Sequence, residues 1–280
     1  MPSPLPQSII LIREPMTLHL SNTYQRTFTA LAPDCTVLPE EVESAGGLIA
    51  LVDSWKKNNL WFRGQANAEW KLVPKALRPR GPAKRKQALA LIRPFRNQSL
   101  PRLDQSPPST SIGWHGLAQH HGLPTRLLDW TANPAVALYF ACLAPKEHGA
   151  VYVIDPIELN TLSLGPSHRR ILDPEDDAQI LEKYLRLGPE IDRNGLMNVA
   201  LDPAYESKRI EAQEGCFTLH GNRHLGLTGK QAPSMFYIPI LRRHKVRILR
   251  QLAQIGFKES KLFPELEYLC RELRRKAGLT

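Results

Sequence analysis

The sequence predicts an α+β fold: a small, split, mostly antiparallel sheet surrounded by helices. Helical and strand patterns alternate irregularly along the chain, without the βαβ rhythm of a doubly wound sheet. The stretches "GAVYVID" (Gly149–Asp155) and "FYIPI" (Phe236–Ile240) have strand composition. By contrast, Ala135–Leu143 is apolar on almost every face and predicts a buried helix. With 280 residues, 42% of them hydrophobic, the chain can bury a substantial core without disulfides.

The elements follow in order. Residues 1–35 are Pro-rich and weakly patterned, which predicts an extended arm. Leu48, Ile49, Val52 and Trp55 recur at helical spacing and predict a helix from about Ala45 to Lys57. "NLWFRG" predicts a short buried strand, Leu60–Phe62, with Arg63-Gly64 at its end. Pro79 and Pro82 interrupt the basic run Arg78–Lys86, so a helix is expected to start only near Ala83. "GLAQHHG" ends a helix, with Gly122 as the stop and Pro124 beyond it. Arg126–Trp130 is extended; Asn133 or Thr131 caps the buried helix, and Pro134 suits its first turn. Ser163–Leu201 is polar, helical or loop. A strand is expected around Gly215–Leu219. An amphipathic helix follows with Val246, Leu249, Leu252 and Ile255 on one face and Gly256 at its end, then a last helix with Pro264 in its first turn.

Composition narrows the function classes. The four cysteines are widely spaced and form no CxxC pair, as expected of reduced cytosolic thiols. The apolar run Ile9–Ile12 is too short for a signal or membrane segment, and every later apolar run is interrupted. The expectation is a cytoplasmic protein without a membrane partner. The net charge of +10 favours a polyanionic partner, DNA or RNA, over a merely solvated basic surface. No GxGxxG follows a strand, and no Walker loop, HExxH or GxSxG elbow is present.

The chemistry concentrates in "GWHGLAQHHGLPTRLLDWTANPAVALYFA" (Gly113–Ala141) and two outlying stretches. Arg63, at a strand end and followed by Gly64, suits bidentate phosphate or carboxylate binding; a structural ion pair is the alternative. Gly64 admits a ligand or a second backbone. His115 and His120 would stand roughly 140° apart on a helix, and His120 and His121 point to different sides, so a shared metal is not expected. Hydrogen bonding beside a pocket fits these histidines better. Arg126 and Asp129, three apart, pair across a turn or take part in a site. The Thr131 hydroxyl faces a helix N-terminus, either as a plain cap or near an anion. In "RIEAQEG", a strand would place Glu211 and Gln213 on one face and Glu214 on the other, ready for a sugar hydroxyl or left to solvent. Cys142, inside the apolar helix, reads as inert.

In this order, "FRGQ" (Phe62–Gln65), "W.L.P...R" (Trp70–Arg78), "LAQHHGLPTRLLDWTANPAVALYFA" (Leu117–Ala141), "RIEAQEGCF" (Arg209–Phe217) and "LFPELEYL" resemble the FRG domain. The resemblance runs from about Ala45 to near the C-terminus. It implies two parts: a Pro-rich arm over residues 1–38, and an FRG domain with a helical C-terminal extension over 39–280.

A weaker resemblance, to ADP-ribosyltransferases of the Arg-Ser-Glu type, rests on Arg63-Gly64, Thr131 before "ALYFA", and "RIEAQEG". It implies an ADP-ribosyltransferase-like fold that uses NAD as substrate. In that scheme Arg63 holds the NAD phosphates or ribose, and Thr131 touches the nicotinamide ribose. Gly64, Gln119, His120, His121, Arg126 and Asp129 line the cofactor pocket. One of Glu211, Gln213 and Glu214 supports the transition state. Gln213 stands where the pattern expects Glu, and an amide stabilises positive charge less well than a carboxylate. Taken with the +10 charge, the expectation is an NAD-using FRG-domain effector of the bacterial-toxin or anti-phage type, with DNA or RNA as target or regulator and an inhibitory protein as a partner. The competing expectation is a non-catalytic nucleotide or nucleic-acid binding module, with Arg78–Lys86 extending the phosphate track.

Overall fold

A computed structural model describes residues 18–104, 106–203 and 207–279. Helix α1 (Asn22–Leu31) and the edge strand β1 (Thr36–Val37) come first. Next come α2 (Ala45–Ser54), β2 (Trp61–Gln65), a 3₁₀ turn (Lys75–Leu77), α3 (Pro82–Ala90), α4 (Ile92–Ser99) and α5 (Ser111–His120). The centre of the fold is β3 (Leu127–Thr131), α6 (Pro134–Cys142), β4 (Gly149–Ile154) and α7 (Pro156–Leu164). The chain then forms α8 (Ala178–Leu185), β5 (Val199–Leu201), α9 (Lys208–Ala212), β6 (Gly215–Leu219) and β7 (Phe236–Ile240). It closes with α10 (Arg242–Gln254), α11 (Glu259–Leu262) and α12 (Leu266–Lys276).

The fold is α+β. The strands form one sheet in the order β1-β7-β4-β2-β3-β6-β5, antiparallel except for β1 beside β7. The expected split sheet is thus corrected to a continuous one. Its centre is nevertheless weak, because β2 and β3 pair at a single position, Phe62 with Thr131. Beyond it, Arg63–Gln65 face no partner on β3, and the two strands diverge.

Helices cover both faces. Helix α6 packs with α2 and α10 on one face, over Phe62, Val151, Val153 and Ile238. Phe28 of α1 and Leu159 of α7 pack on the other, with Trp61, Trp130 and Tyr152. A third cluster joins α5 and α8 to β3, β5 and β6. Asn133 caps α6 by accepting from the Ala135 N–H, and Pro134 fills the first turn. Seven of its nine residues are buried. Side chains such as Val136 and Leu138 each gain about 1.5–3 kcal/mol from that burial. The helix lies against the sheet because two strand residues lack side chains. A Cβ on Gly64 would stand 1.7 Å from the Ala137 carbonyl oxygen, and one on Gly149 would stand 2.2 Å from that of Ala141. The close approach at Gly64 is therefore by a second backbone.

Four local expectations are corrected. Residues 22–31 and 36–37, placed in the extended arm, form α1 and β1; residues 1–17 of that arm lie outside the described residues. Val199–Leu201, in the polar stretch, forms a buried strand. The buried stripe of α10 is Lys245, Ile248 and Leu252, whereas Val246 and Ile255 are exposed. Pro264 precedes the cap residue Glu265 rather than entering the last helix.

Candidate functional site

A cavity of about 620 Å3 opens where β2 and β3 diverge. Arg63 and Gly64 of β2 line it, with Asp129, Trp130 and Thr131 of β3, Gln119 and His120 of α5, Val136 and Phe140 of α6, and Arg209, Ile210 and Gln213 around α9. Trp70, 56% exposed, stands at its edge. Three stretches far apart in sequence therefore meet in one place.

Arg63 closes the gap in the sheet. Its Nη1 donates to the Asp129 main-chain oxygen at 2.5 Å and lies 3.7 Å from the Asp129 carboxylate. Burial pulls the guanidinium pKa below its usual range, and Asp129 partly restores it. The Arg63 side chain is 17% exposed and that of Asp129 62%, so the carboxylate faces the open space. A hydrogen-bond chain orients it: the Gln119 amide donates to Asp129 Oδ1 at 2.6 Å, and Thr125 Oγ1 donates to Gln119 Oε1. The amide proton direction follows from this chain, since the side-chain oxygen accepts and the nitrogen donates.

Thr131 and Gln213 are committed to each other. Thr131 Oγ1 donates to the Gln213 carbonyl at 2.6 Å and accepts from the Asn133 N–H. The Gln213 amide donates to the Leu262 carbonyl at 2.9 Å. His120 lines the cavity, and burial, followed by the charges of His121 and Arg209, lowers its pKa. It is a neutral hydrogen-bonding group near neutral pH. Arg209 stacks on Phe263, with its guanidinium carbon 4.5 Å from the ring centre, and reaches Glu265 at 3.9 Å.

Several expected site residues lie elsewhere. His121 caps α5, is exposed and does not line the cavity. Arg126 is buried, and its guanidinium donates to the carbonyls of Leu187, Gly188, His220 and Gly221. It does not pair with Asp129, whose ion-pair partner is Arg63. The stretch expected as a strand with Glu211 and Gln213 on one face is helix α9 with Gln213 as its end residue. Glu211 is exposed, and Glu214 is the left-handed residue (φ 44°) of the turn into β6. Neither lines the cavity; Glu214 Oε1 accepts from Asn133 Nδ2. The short helix forms because Ser207 accepts from the Ile210 N–H and starts it.

The sequence reading missed two features. Trp70 was marked only as part of a motif, though its exposure beside a cavity sets it apart. Lys245 is fully buried, and its Nζ donates to the carbonyls of Ala66 at 2.7 Å and Ala144 at 2.9 Å, two residues of the cavity wall. Burial lowers its pKa, opposed by Cys142 and Glu147. Apart from the cavity, Glu41, Glu43 and His244 bring donor atoms within 4.8 Å of one another, but Arg243 already pairs with Glu41 there.

No curated protein and no solved structure matches the chain. The family model of the FRG domain matches residues 58–150, a stretch holding Arg63, Gly64, Gln119, His120, Asp129 and Thr131 and ending in β4. Arg209 and Gln213 complete the cavity from outside that match. The FRG-domain match thus covers the third of the chain that forms one side of the cavity.

Proposed function

We propose that the cavity binds a nucleotide, with NAD as the first candidate, and that ADP-ribosyl transfer or NAD hydrolysis there draws its carboxylate from Asp129. The observation that carries this reading is the convergence of Arg63, Gln119, His120, Asp129, Thr131 and Gln213 on one cavity of about 620 Å3. That volume lies inside the roughly 300–1,000 Å3 range of small-molecule sites. Arg63 and Arg209 supply positive charge for a phosphate group. Trp70, Phe140 and Phe217 supply apolar walls for a planar ring.

Breaking the bond between nicotinamide and ribose leaves positive charge on the sugar carbon as nicotinamide departs with the electron pair. Water or an acceptor then adds to that carbon and gives up a proton. A carboxylate beside the carbon stabilises the charge. Glu211 and Glu214 do not line the cavity, and the Gln213 amide is occupied by Leu262. Asp129, oriented by Gln119 and Arg63, is the carboxylate that does line it.

A second reading, nucleotide binding without turnover, is favoured by the internal use of the Thr131 hydroxyl and the Gln213 amide. One experiment separates the two. NAD is incubated with the full chain, with Asp129→Asn and with Arg63→Ala; nicotinamide release is followed by chromatography and binding by calorimetry. Release lost in Asp129→Asn supports the enzyme. Binding without release supports the second reading. Neither binding nor release sinks both.

A further inference from the structure

Helix α12 presents its apolar stripe to solvent. Its leucines recur at Leu266, Leu269 and Leu273, and with Cys270 they fall within an arc of about 100°. The three leucines are 76%, 44% and 53% exposed, and Cys270 is exposed among them. The side turned to the rest of the chain is polar. Arg271 and Arg275 reach the Glu259 carboxylate of α11 at 2.7 and 2.9 Å, Glu272 accepts from Ser260, and the Tyr268 ring stacks on Phe263 at 4.6 Å. These anchors centre about 160° around the helix from the leucines. An amphipathic helix on a folded chain ordinarily turns its apolar stripe to the core, yet no residue of α12 is buried.

The charges beside the stripe decide what covers it. Glu267 and Arg274 stand on one flank, and Glu265 and Lys276 on the other. On each flank the acid lies toward the start of the helix and the base toward its end. Both pairs are centred on the same point, between Cys270 and Arg271. A second α12 laid antiparallel across that point, about a two-fold axis, sets Glu267 of each copy opposite Arg274 of the other, and Glu265 opposite Lys276. A parallel pair would set acid against acid and base against base, which repels. Within one copy Lys276 already pairs with Glu272, and Glu267 with Arg271, whereas Arg274 makes no ion pair among the described residues. A helix that lies on a membrane carries basic residues along its polar face, but here half of each flank is acidic.

We propose that α12 is the contact surface of a two-fold, antiparallel dimer with a second copy of this chain. The leucines of the two copies interdigitate at its centre, and the flanking charges set its direction. A helix of eleven residues is about 16 Å long, so the contact falls below the standard interface of about 1,200–2,000 Å2. The dimer is therefore weak, forming at protein concentrations on the order of tens of micromolar. The proposal is independent of what the cavity binds, because no residue of α12 lines it.

The test is sedimentation velocity of the full chain over a range of concentrations. Wild type is expected to pass from monomer to dimer, and Leu266→Gln with Leu273→Gln to stay monomeric. That double variant should keep the wild-type unfolding midpoint in dilute solution, because neither side chain is packed within one copy. Arg274→Glu sets like charges opposite each other twice and should weaken the dimer about tenfold or more. Adding Glu267→Arg to it restores opposite charges and should restore the dimer. A chain that stays monomeric at every concentration overturns the proposal. So does a dimer that survives the leucine changes, or a charge swap that restores nothing. Should the leucine variant not fold, the wild-type chain decides with a short bis-maleimide. Cross-linked peptides joining Cys270 to Cys270 support the antiparallel pair, whose centre lies beside that residue, and their absence overturns it. Vesicles of phosphatidylserine and phosphatidylcholine serve as the competing surface: a monomer that binds them through the same leucines assigns the stripe to a membrane and overturns the dimer.

Discussion

The Arg63 side chain takes the place of the ladder bonds that β2 and β3 lack, by donating to the main-chain oxygen of Asp129 across the opening between them. The bond is made to backbone, so the two residues separate cleanly in their effects. Arg63→Met leaves the Asp129 carbonyl without its donor and should cost about 2 kcal/mol in urea denaturation. Asp129→Asn keeps that carbonyl and still accepts from Gln119, so stability should change by less than about 1 kcal/mol. If the proposed chemistry holds, the same Asp129→Asn change should abolish nicotinamide release.

Gly64→Ala probes the packing of α6 on the sheet. The added methyl would overlap the Ala137 carbonyl oxygen, a backbone atom in a helix buried on nearly all sides. Neither partner can rotate away, so the expected loss is at the upper end of overpacking effects, about 3 kcal/mol or more. Circular dichroism through a thermal ramp would measure it; a midpoint within a degree of wild type would contradict the close packing.

Acid stability follows from histidines held away from water, His220 fully and His115 in part. Burial holds His220 at about 3 and His115 at about 4, against a reference of 6.5. Between these values and 6.5 the unfolded chain binds the protons and the folded chain does not. Stability is therefore fully present above pH 6.5 and is lost as pH falls toward 3. Each histidine contributes a slope of about 1.4 kcal/mol per pH unit within its window. His120 and His148 are shifted the same way and reinforce the trend. Denaturation midpoints at pH 7, 6, 5 and 4 should show His220→Gln losing close to one proton of this slope.

Trp70 should report on the cavity. Trp70 is 56% exposed where it lines the cavity, an uncommon place for a large aromatic. Stacking of a nucleotide ring on it predicts quenching of tryptophan fluorescence on NAD addition. Trp70→Ala should weaken binding by about 1–3 kcal/mol, the range of base stacking on an aromatic side chain. Unchanged affinity in that variant would place the ring of the ligand elsewhere.

Much of the fold was legible where local pattern and burial agree. The strands Gly215–Leu219 and Phe236–Ile240 were read to the residue, and α2, α6 and β4 within a few residues. These segments bury continuous apolar runs, so composition alone marks them. Helix α9 was misread because five residues with a single large apolar side chain, Ile210, carry no period of either kind; the Ser207 cap was the available signal. Arg126 looked functional from its place in a dense motif, yet its partners lie some 60 to 95 residues away in the chain and none of them is a side chain. Gln119, Asp129 and Arg63 were all named, but not that Arg63 rather than Arg126 holds Asp129. That pairing depends on strand register, which no local pattern records.

Lys245 has a further consequence. One ammonium group holds the carbonyls of Ala66 and Ala144, so two stretches of the cavity wall are fixed at a spacing that a single nitrogen can bridge. Widening the cavity there would strip a buried cation of its acceptors, which is costly. The spacing between these two stretches of wall is therefore set by one buried nitrogen, and a ligand of the proposed site would meet walls that are already ordered.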